Sequence, residues 1–232
     1  MSRADVIDRL AARIAAFRPD EPARVAIDGR TASGKTTLSD ELAAALGRSG
    51  REIIRTSIDG FHRPKAERYA RGRHSAEGYY WDARDLTAIT NLLLGPLGPS
   101  GNRHYSTASF DLENDRPIDP ELHQASRNPI LLVDGTFLQR PELTDGWDLT
   151  IFVDTSEEIA AQRGITRDAA RLGGLDEARR LYELRYRPAF DLYERLCSPA
   201  SIADVLIDNG DLANPRVQIQ DGGRLSGQGT GP

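Results

Sequence analysis

Apolar residues recur along this chain in two rhythms that alternate with one another. Val6, Leu10, Ile14 and Phe17 come at helical spacing and predict a helix over 4–17, ended by Pro19 and Pro22. Arg24 to Asp28 then reads as a short buried strand, and Thr36 to Leu46 as a helix with Leu38, Leu42, Ala45 and Leu46 on one face. Gly47 and Gly50 turn the chain into Glu52 to Ile58, a β-rich second strand. Asp82 is expected to cap a helix to Leu94, with Leu86, Ile89 and Leu93 inward and Gly95-Pro96 stopping it. Asn128 to Asp134 is apolar on both faces, as a central parallel strand should be. Leu149 to Asp154 and Ala203 to Asp208 predict the fourth and fifth strands. Between them, Thr155 and Glu158 predict a capping box, and Asp176 to Leu196 a long helix kinked at Pro188.

Other stretches follow neither rhythm. Residues 62–82 are polar and aromatic, with His62, His74, Tyr79, Tyr80 and Trp81, and suit a flap that faces a substrate. Residues 95–128 are irregular, with Tyr105 to Phe110 as a short lateral strand. The chain reads as a single domain over 1–215 and a Gly-rich flexible tail over 216–232. Strands alternating with helices predict an α/β fold on a parallel sheet.

The first strand runs straight into Gly29-Arg30-Thr31-Ala32-Ser33-Gly34-Lys35-Thr36, which matches G-x-x-x-x-G-K-T, the phosphate-cradling P-loop. Strand before and helix after are the context that pattern needs. The glycines let successive backbone N–H groups turn inward, and the helix N-terminus adds unpaired donors and a positive dipole end. Gly29, Thr31, Ala32, Ser33, Gly34, Lys35, Thr36 and Thr37 are therefore the expected nucleotide-binding residues. Lys35 supplies a cation for the β- and γ-phosphates, and the Thr36 hydroxyl is the expected ligand for Mg²⁺.

Two carboxylates end strands beside this loop. Asp59 follows the second strand, where an open α/β sheet places its chemistry, and is the expected general base or a Mg²⁺ ligand through water. Asp134 closes the third strand and is expected to orient Mg²⁺ or its waters. Arg163, Arg167 and Arg171 recur every four residues, hence on one helix face. They predict a lid, with Arg163 and Arg167 closing on the transferred phosphoryl group.

Composition narrows the partners. A net charge of −5 over 232 residues argues against a general nucleic-acid binder. One cysteine, Cys197, excludes an internal disulfide and a Cys-rich zinc site. No apolar run approaches the ~20 residues of a membrane span, and a cytoplasmic protein without a membrane partner is the expectation. The oligomeric state stays open, a homo-oligomer included.

The segments A-I-D-G-R-T-A-S-G-K-T-T, S-I-D-G-F-H, L-L-V-D-G-T-F-L, I-F-V-D-T-S and a later R-x-x-x-R-D together resemble the uridine kinase and phosphoribulokinase family of P-loop kinases, which also includes pantothenate kinase. The resemblance covers roughly residues 22–212. It implies a P-loop NTPase fold: a five-stranded parallel sheet in the order 2-3-1-4-5, helices on both faces and an arginine lid. It implies ATP or GTP with Mg²⁺ as donor and a small-molecule alcohol as acceptor, whose proton Asp59 takes; in uridine kinases that alcohol is the ribose 5′-hydroxyl. Arg167-Asp168 matches the lid arginine and the aspartate after it, and Tyr182 and Pro188 match the helix that follows. On the acceptor side, Tyr79 stands where uridine kinases carry an aspartate that holds the ribose. Tyr105 keeps the tyrosine of their Y-D-x-x-x-H segment, while Ser106 and Phe110 replace its other two residues. Their lid ends in R-G-R, where this chain has Leu172-Gly173-Gly174, and D-G-F-H looks closer to pantothenate kinase and related sugar-kinase-like members. His62, Tyr79 and Tyr105 are thus the substrate candidates, and a uridine- or cytidine-kinase-like transfer is the expected activity. Pantothenate or a sugar-like alcohol as acceptor, or a nucleotide-hydrolysing regulator, are the alternatives.

Overall fold

A computed structural model describes residues 2–226. Its frame is a six-stranded sheet. The strands are β1 (Ala23–Asp28), β2 (Ile53–Ser57), β3 (Ile130–Gly135), β4 (Leu149–Asp154), β5 (Val205–Asp208) and β6 (Arg216–Ile219), ordered β6-β5-β4-β1-β3-β2. Five strands run parallel in the expected 2-3-1-4-5 order. Every residue of β1 and β3 is buried, which is why these two strands carry no polar alternation.

The sixth strand corrects the tail assignment. β6 pairs antiparallel with β5, with Arg216 opposite Asp208 and Ile219 opposite Val205. Asp204 then gathers the turn beyond it, accepting from the backbone N–H of Arg224 at 2.8 Å, and Leu225 is fully buried in the core. The few apolar residues Val217, Ile219 and Leu225 suffice to dock the segment against an existing edge, which a glycine count conceals. The part of the assigned tail over 227–232 lies outside the described residues.

Helices cover both faces. α1 (Arg3–Ala16) opens with a capping box between Ser2 and Asp5, and with α2 (Lys35–Leu46) it packs Leu10, Ile14, Leu38 and Leu42 against one face. The other face packs Ile58, Phe61, Ile89, Leu93 and Trp147. A third cluster of Tyr80, Phe137, Phe152, Phe190 and Tyr193 includes the inner face of α5 (Arg187–Cys197), while α3 (Glu157–Leu172) and α4 (Leu175–Leu181) pack against each other.

Three boundaries differ from expectation. Asp85, not Asp82, caps the helical turn at Leu86–Ile89, because the bridge between His62 and Arg84 holds residue 84 extended. Ser156, not Thr155, caps α3; the Thr155 hydroxyl instead donates to the Ser33 carbonyl at 3.2 Å. The long helix is divided by a wide turn over Tyr182–Tyr186, which seats Pro188 in the first turn of α5, where its missing N–H costs nothing.

α3 and the wide turn meet at Gly164. A Cβ there would fall 1.7 Å from the Tyr182 hydroxyl, which is buried and bonded to Asp168 at 3.1 Å. Alanine normally favours a helix over glycine by about 1 kcal/mol. Here Gly164→Ala should destabilise by about 1–3 kcal/mol through overpacking. Urea unfolding checks this; an unchanged or raised midpoint would refute the packing described.

Candidate active site

The site begins where the central strand ends. Asp28 is wholly buried and accepts from the Gly29 N–H at 2.7 Å, from the Tyr193 hydroxyl, and from the backbone and side chain of Gln139 at 3.3 Å each. Burial pushes its carboxyl pKa upward against these donors. The loop then turns tightly. Gly29, at φ +150°, passes so close to β4 that a Cβ would lie 2.5 Å from the Val153 carbonyl. Gly34, at φ +96°, faces the Asn209 side chain, where a Cβ would fall at 2.3 Å. Asn209 and Thr155 both donate to the Ser33 carbonyl, which fixes that peptide with its N–H side toward the cleft.

Lys35 starts α2 and donates from Nζ to the Arg30 carbonyl at 2.8 Å, lying across the loop. Burial lowers its pKa to about 8, against the opposing pull of Asp134, Asp28 and Asp59. Thr36 follows, and its hydroxyl donates to Asp134 Oδ2 at 2.7 Å. The other Asp134 oxygen is buried and accepts no hydrogen bond, although Arg55 Nη1 lies 2.8 Å from it, out of line for one.

Asp59 sits at the C-terminal end of β2. Its Oδ1 accepts from Arg84 Nη2 at 2.6 Å, and the carboxylate opens to the cleft. Burial alone would raise its pKa, but the charges of Arg84 and Lys35 outweigh it and hold Asp59 below the ordinary carboxylate value. His62 supports this arrangement. Its Nε2 is 2.6 Å from Arg84 Nη1 and its Nδ1 is 2.8 Å from the Asp59 carbonyl, so the neutral Nδ1–H tautomer satisfies both. Burial and the adjacent Arg84 push the His62 pKa down to about 3.

The four-residue arginine spacing divides between two tasks. Arg167 pairs through Nε and Nη2 with the two Asp168 oxygens at 2.9 Å each, and Arg171 Nη2 lies 3.4 Å from the same carboxylate. Both arginines line a 330 Å³ cavity together with Lys35, Thr36, Asp59 and Asp134. Arg163 does not: it donates to the carbonyls of Asn209 and Gly210 at 3.1 and 2.7 Å. A second cavity of 410 Å³ continues past Asp59, between the flap of residues 62–82 and the helices after the lid.

Comparison with known proteins settles the family. Residues 25–212 match the model of the phosphoribulokinase / uridine kinase family. The chain belongs to that family. It is 26% identical to uridine-cytidine kinase B of Dictyostelium discoideum over 82% of this chain and 75% of the relative. It is also 26% identical to a uridine kinase of Lactiplantibacillus plantarum, over 82% and 88% respectively. A solved structure described as a possible uridine kinase of Bacillus stearothermophilus superposes with a TM-score of 0.67 at 25% identity, covering 87% of this chain and 97% of that one. The chain is thus a P-loop kinase, a phosphotransferase to a hydroxyl acceptor, and ATP use goes with the family.

Seen as a kinase cleft, the site brings most of the expected residues together. Thr31, Ala32, Gly34, Lys35, Thr36 and Thr37 line the cavity, whereas the Ser33 side chain is fully buried, so only its backbone is available. The oxygen pair of Thr36 and Asp134 suits a hard cation such as Mg²⁺, with Asp59 facing the same cavity. Among the described residues no cluster of three or more His, Cys, Asp or Glu could hold a metal by itself. No described helix is long and apolar enough to cross a membrane.

Three expected roles change. Arg163, expected as catalytic, holds the loop after β5 instead, because its turn of α3 lies over that loop. Tyr105, expected at the substrate, is 8% exposed, packs in the core beside His123 and lines neither cavity. His62 lines the second cavity, but both its ring nitrogens are engaged, so it positions Arg84 and Asp59. Tyr79 does line both cavities, its hydroxyl 3.3 Å from Thr136 Oγ1. Sequence reading missed Arg84, Asn209 and Arg185. No motif marks them, and each matters only through partners 25, 176 and 112 residues away in the chain.

The lowered Lys35 pKa has a measurable consequence. A bound triphosphate favours the ammonium, so the complex binds more protons than the free protein above pH about 8. ATP affinity should be level below that pH and fall by up to about tenfold per pH unit above it. Calorimetry at pH about 8.5, in buffers of unlike ionisation enthalpy, should register proton uptake that vanishes in Lys35→Met. Proton-neutral binding by the wild type would remove Lys35 from the phosphate contact.

Proposed function

We propose that this chain transfers the γ-phosphoryl group of ATP, with Mg²⁺, to a hydroxyl of a small molecule presented at Asp59. The observation that carries the reading is the cavity shared by Lys35, Thr36, Asp59, Asp134 and Arg167, which opens directly into a second cavity beyond Asp59. Lys35, Arg167 and Arg171 neutralise charge gathering on the γ-phosphoryl oxygens. Thr36 and Asp134 would hold Mg²⁺, which would supply positive charge to offset that of the phosphates. Asp59 orients the acceptor hydroxyl and accepts its proton as the new P–O bond forms. Arg84 makes Asp59 a reliably ionised but weak base, which suits a loose transition state in which positioning outweighs proton abstraction.

The relatives named as uridine or uridine-cytidine kinases support a nucleoside 5′-hydroxyl as acceptor. A specific observation favours the other reading, an alcohol that is not a nucleoside. Tyr105 lies in the core, and the Tyr79 ring is locked between Phe137 and Tyr186, so neither keeps the nucleoside-reading arrangement. A cavity of 410 Å³ beside the base also supports a kinase over a nucleotide-hydrolysing switch, which needs no acceptor pocket.

Asp59→Asn should retain ATP binding, read by calorimetry, while acceptor-dependent ADP release falls by about 10²–10⁴-fold. Unchanged turnover would take Asp59 out of the reaction. Equal ADP release with and without every acceptor would instead favour the switch.

A further inference from the structure

The acceptor-side cavity is strongly cationic in a chain whose net charge is −5. Seven arginine and lysine side chains line it against four carboxylates, and His62 is held neutral. Most of these cations already have a partner: Arg84 has Asp59, Arg68 has Asp115, and Arg167 and Arg171 share Asp168. Arg185 differs. It is 4% exposed, and among the described residues no carboxylate pairs with it. Its guanidinium donates to the Arg73 carbonyl and lies 4.8 and 4.9 Å from the ring centres of Tyr69 and Tyr79. Buried guanidinium groups are ordinarily paired, because desolvating an unpaired charge is costly.

The backbone explains how it comes to be there. Arg185 sits on the wide turn over Tyr182–Tyr186, whose extra residue rotates this side chain inward while Leu184 next to it is half exposed. The two tyrosine rings hold the planar fork in one plane without neutralising it. What they leave is a fixed donor, with N–H groups beyond the one given to Arg73, in the wall of the cavity past Asp59 and outside the cavity lined by Lys35. Arg73 and Arg68 flank it.

We infer that the acceptor is an anionic alcohol, and that Arg185 binds its carboxylate or phosphate group while its hydroxyl lies at Asp59. This rests on the kinase reading for the direction of transfer, but the anion site itself can be tested separately. A neutral nucleoside would leave Arg185 buried and uncompensated; an oxyanion compensates it through two parallel N–H···O bonds.

Two measurements decide the matter. In the first, ADP release is followed with glycerol, glycerate, glycerol 3-phosphate, ribose, ribose 5-phosphate, uridine and cytidine. Anionic members should exceed their neutral counterparts in kcat/KM by at least about 10- to 100-fold, the worth of a charge-assisted contact. Arg185→Met should abolish that ratio by raising the acceptor KM, with the KM for ATP and the acceptor-free hydrolysis rate unchanged. A merely structural arginine would move all three together, and that result overturns the proposal, as does preferential turnover of uridine, cytidine or the neutral alcohols.

In the second, the P-loop is saturated with Mg·ADP, and thermal shift is read with glycerate, with glycerol 3-phosphate and with ribose 5-phosphate. The shift should be present in the wild type and in Arg185→Lys to a smaller degree, and absent in Arg185→Met. The ranking of the three probes separates carboxylate from phosphate. No Arg185-dependent shift with any of them sinks the anion site, whatever the turnover. A clear shift with no acceptor-stimulated ADP release leaves the anion site standing and counts against the kinase reading instead.

Discussion

The cleft depends on one carboxylate that never reaches it. Asp28 is sealed at the end of the central strand and gathers donors from three separate parts of the chain: the first P-loop amide, Gln139 after β3, and Tyr193 on α5. A buried carboxylate this well supplied is a staple rather than a reactive group. It fixes where Gly29 turns, and so where every following amide of the loop points. It also sets α5 against the sheet, and the wide turn from which Arg185 enters the cavity past Asp59 runs directly into α5. The P-loop and the wall of that cavity are therefore registered through the same buried oxygen atoms.

Beyond that staple the site is arranged by charge. The chain is acidic overall, yet the walls of its cleft are rich in arginine, most of it already matched to carboxylates. Such pairs keep side chains in place until a phosphoryl group competes for them. Arg84 shows this best: one guanidinium contacts both the Asp59 carboxylate and the His62 ring, keeping the first ionised and the second neutral. The acid at position 134 is similarly framed, by the Thr36 hydroxyl on one oxygen and Arg55 near the other.

What the sequence disclosed is what is local. The P-loop, the five parallel strands and the acids that end β2 and β3 are each written within a few consecutive residues, and the order of the strands in the sheet follows from the family resemblance. What stayed hidden is what the fold assembles. Asn209 gains its task only because β5 ends beside the loop that β1 begins, and Arg84 only because residue 84 bridges to residue 62. Thr155 satisfies a capping-box pattern, but its hydroxyl is turned toward the Asp154 and Ser33 carbonyls, 2.8 and 3.2 Å away, which leaves the cap to Ser156. Tyr105 keeps a family residue type while its surroundings have become core. β6 escaped notice because its pairing partner supplies the order that its own composition lacks.

The lid helix touches both the P-loop's supporting loop and the cleft. A four-residue spacing places Arg163, Arg167 and Arg171 on one face, but successive residues at that spacing are offset by about 40° around a helix of 3.6 residues per turn. Over the length of α3 that drift is enough to separate their targets. Arg163 grips the carbonyls of residues 209 and 210, on the loop whose Asn209 side chain holds the Ser33 peptide. Arg167 and Arg171 meanwhile face the cleft around Asp168. One rigid rod thus spans the loop behind the phosphates and the space in front of them. Arg163 thus ties this helix, through the loop of residues 209 and 210, to the Asn209 side chain that holds the Ser33 peptide of the P-loop.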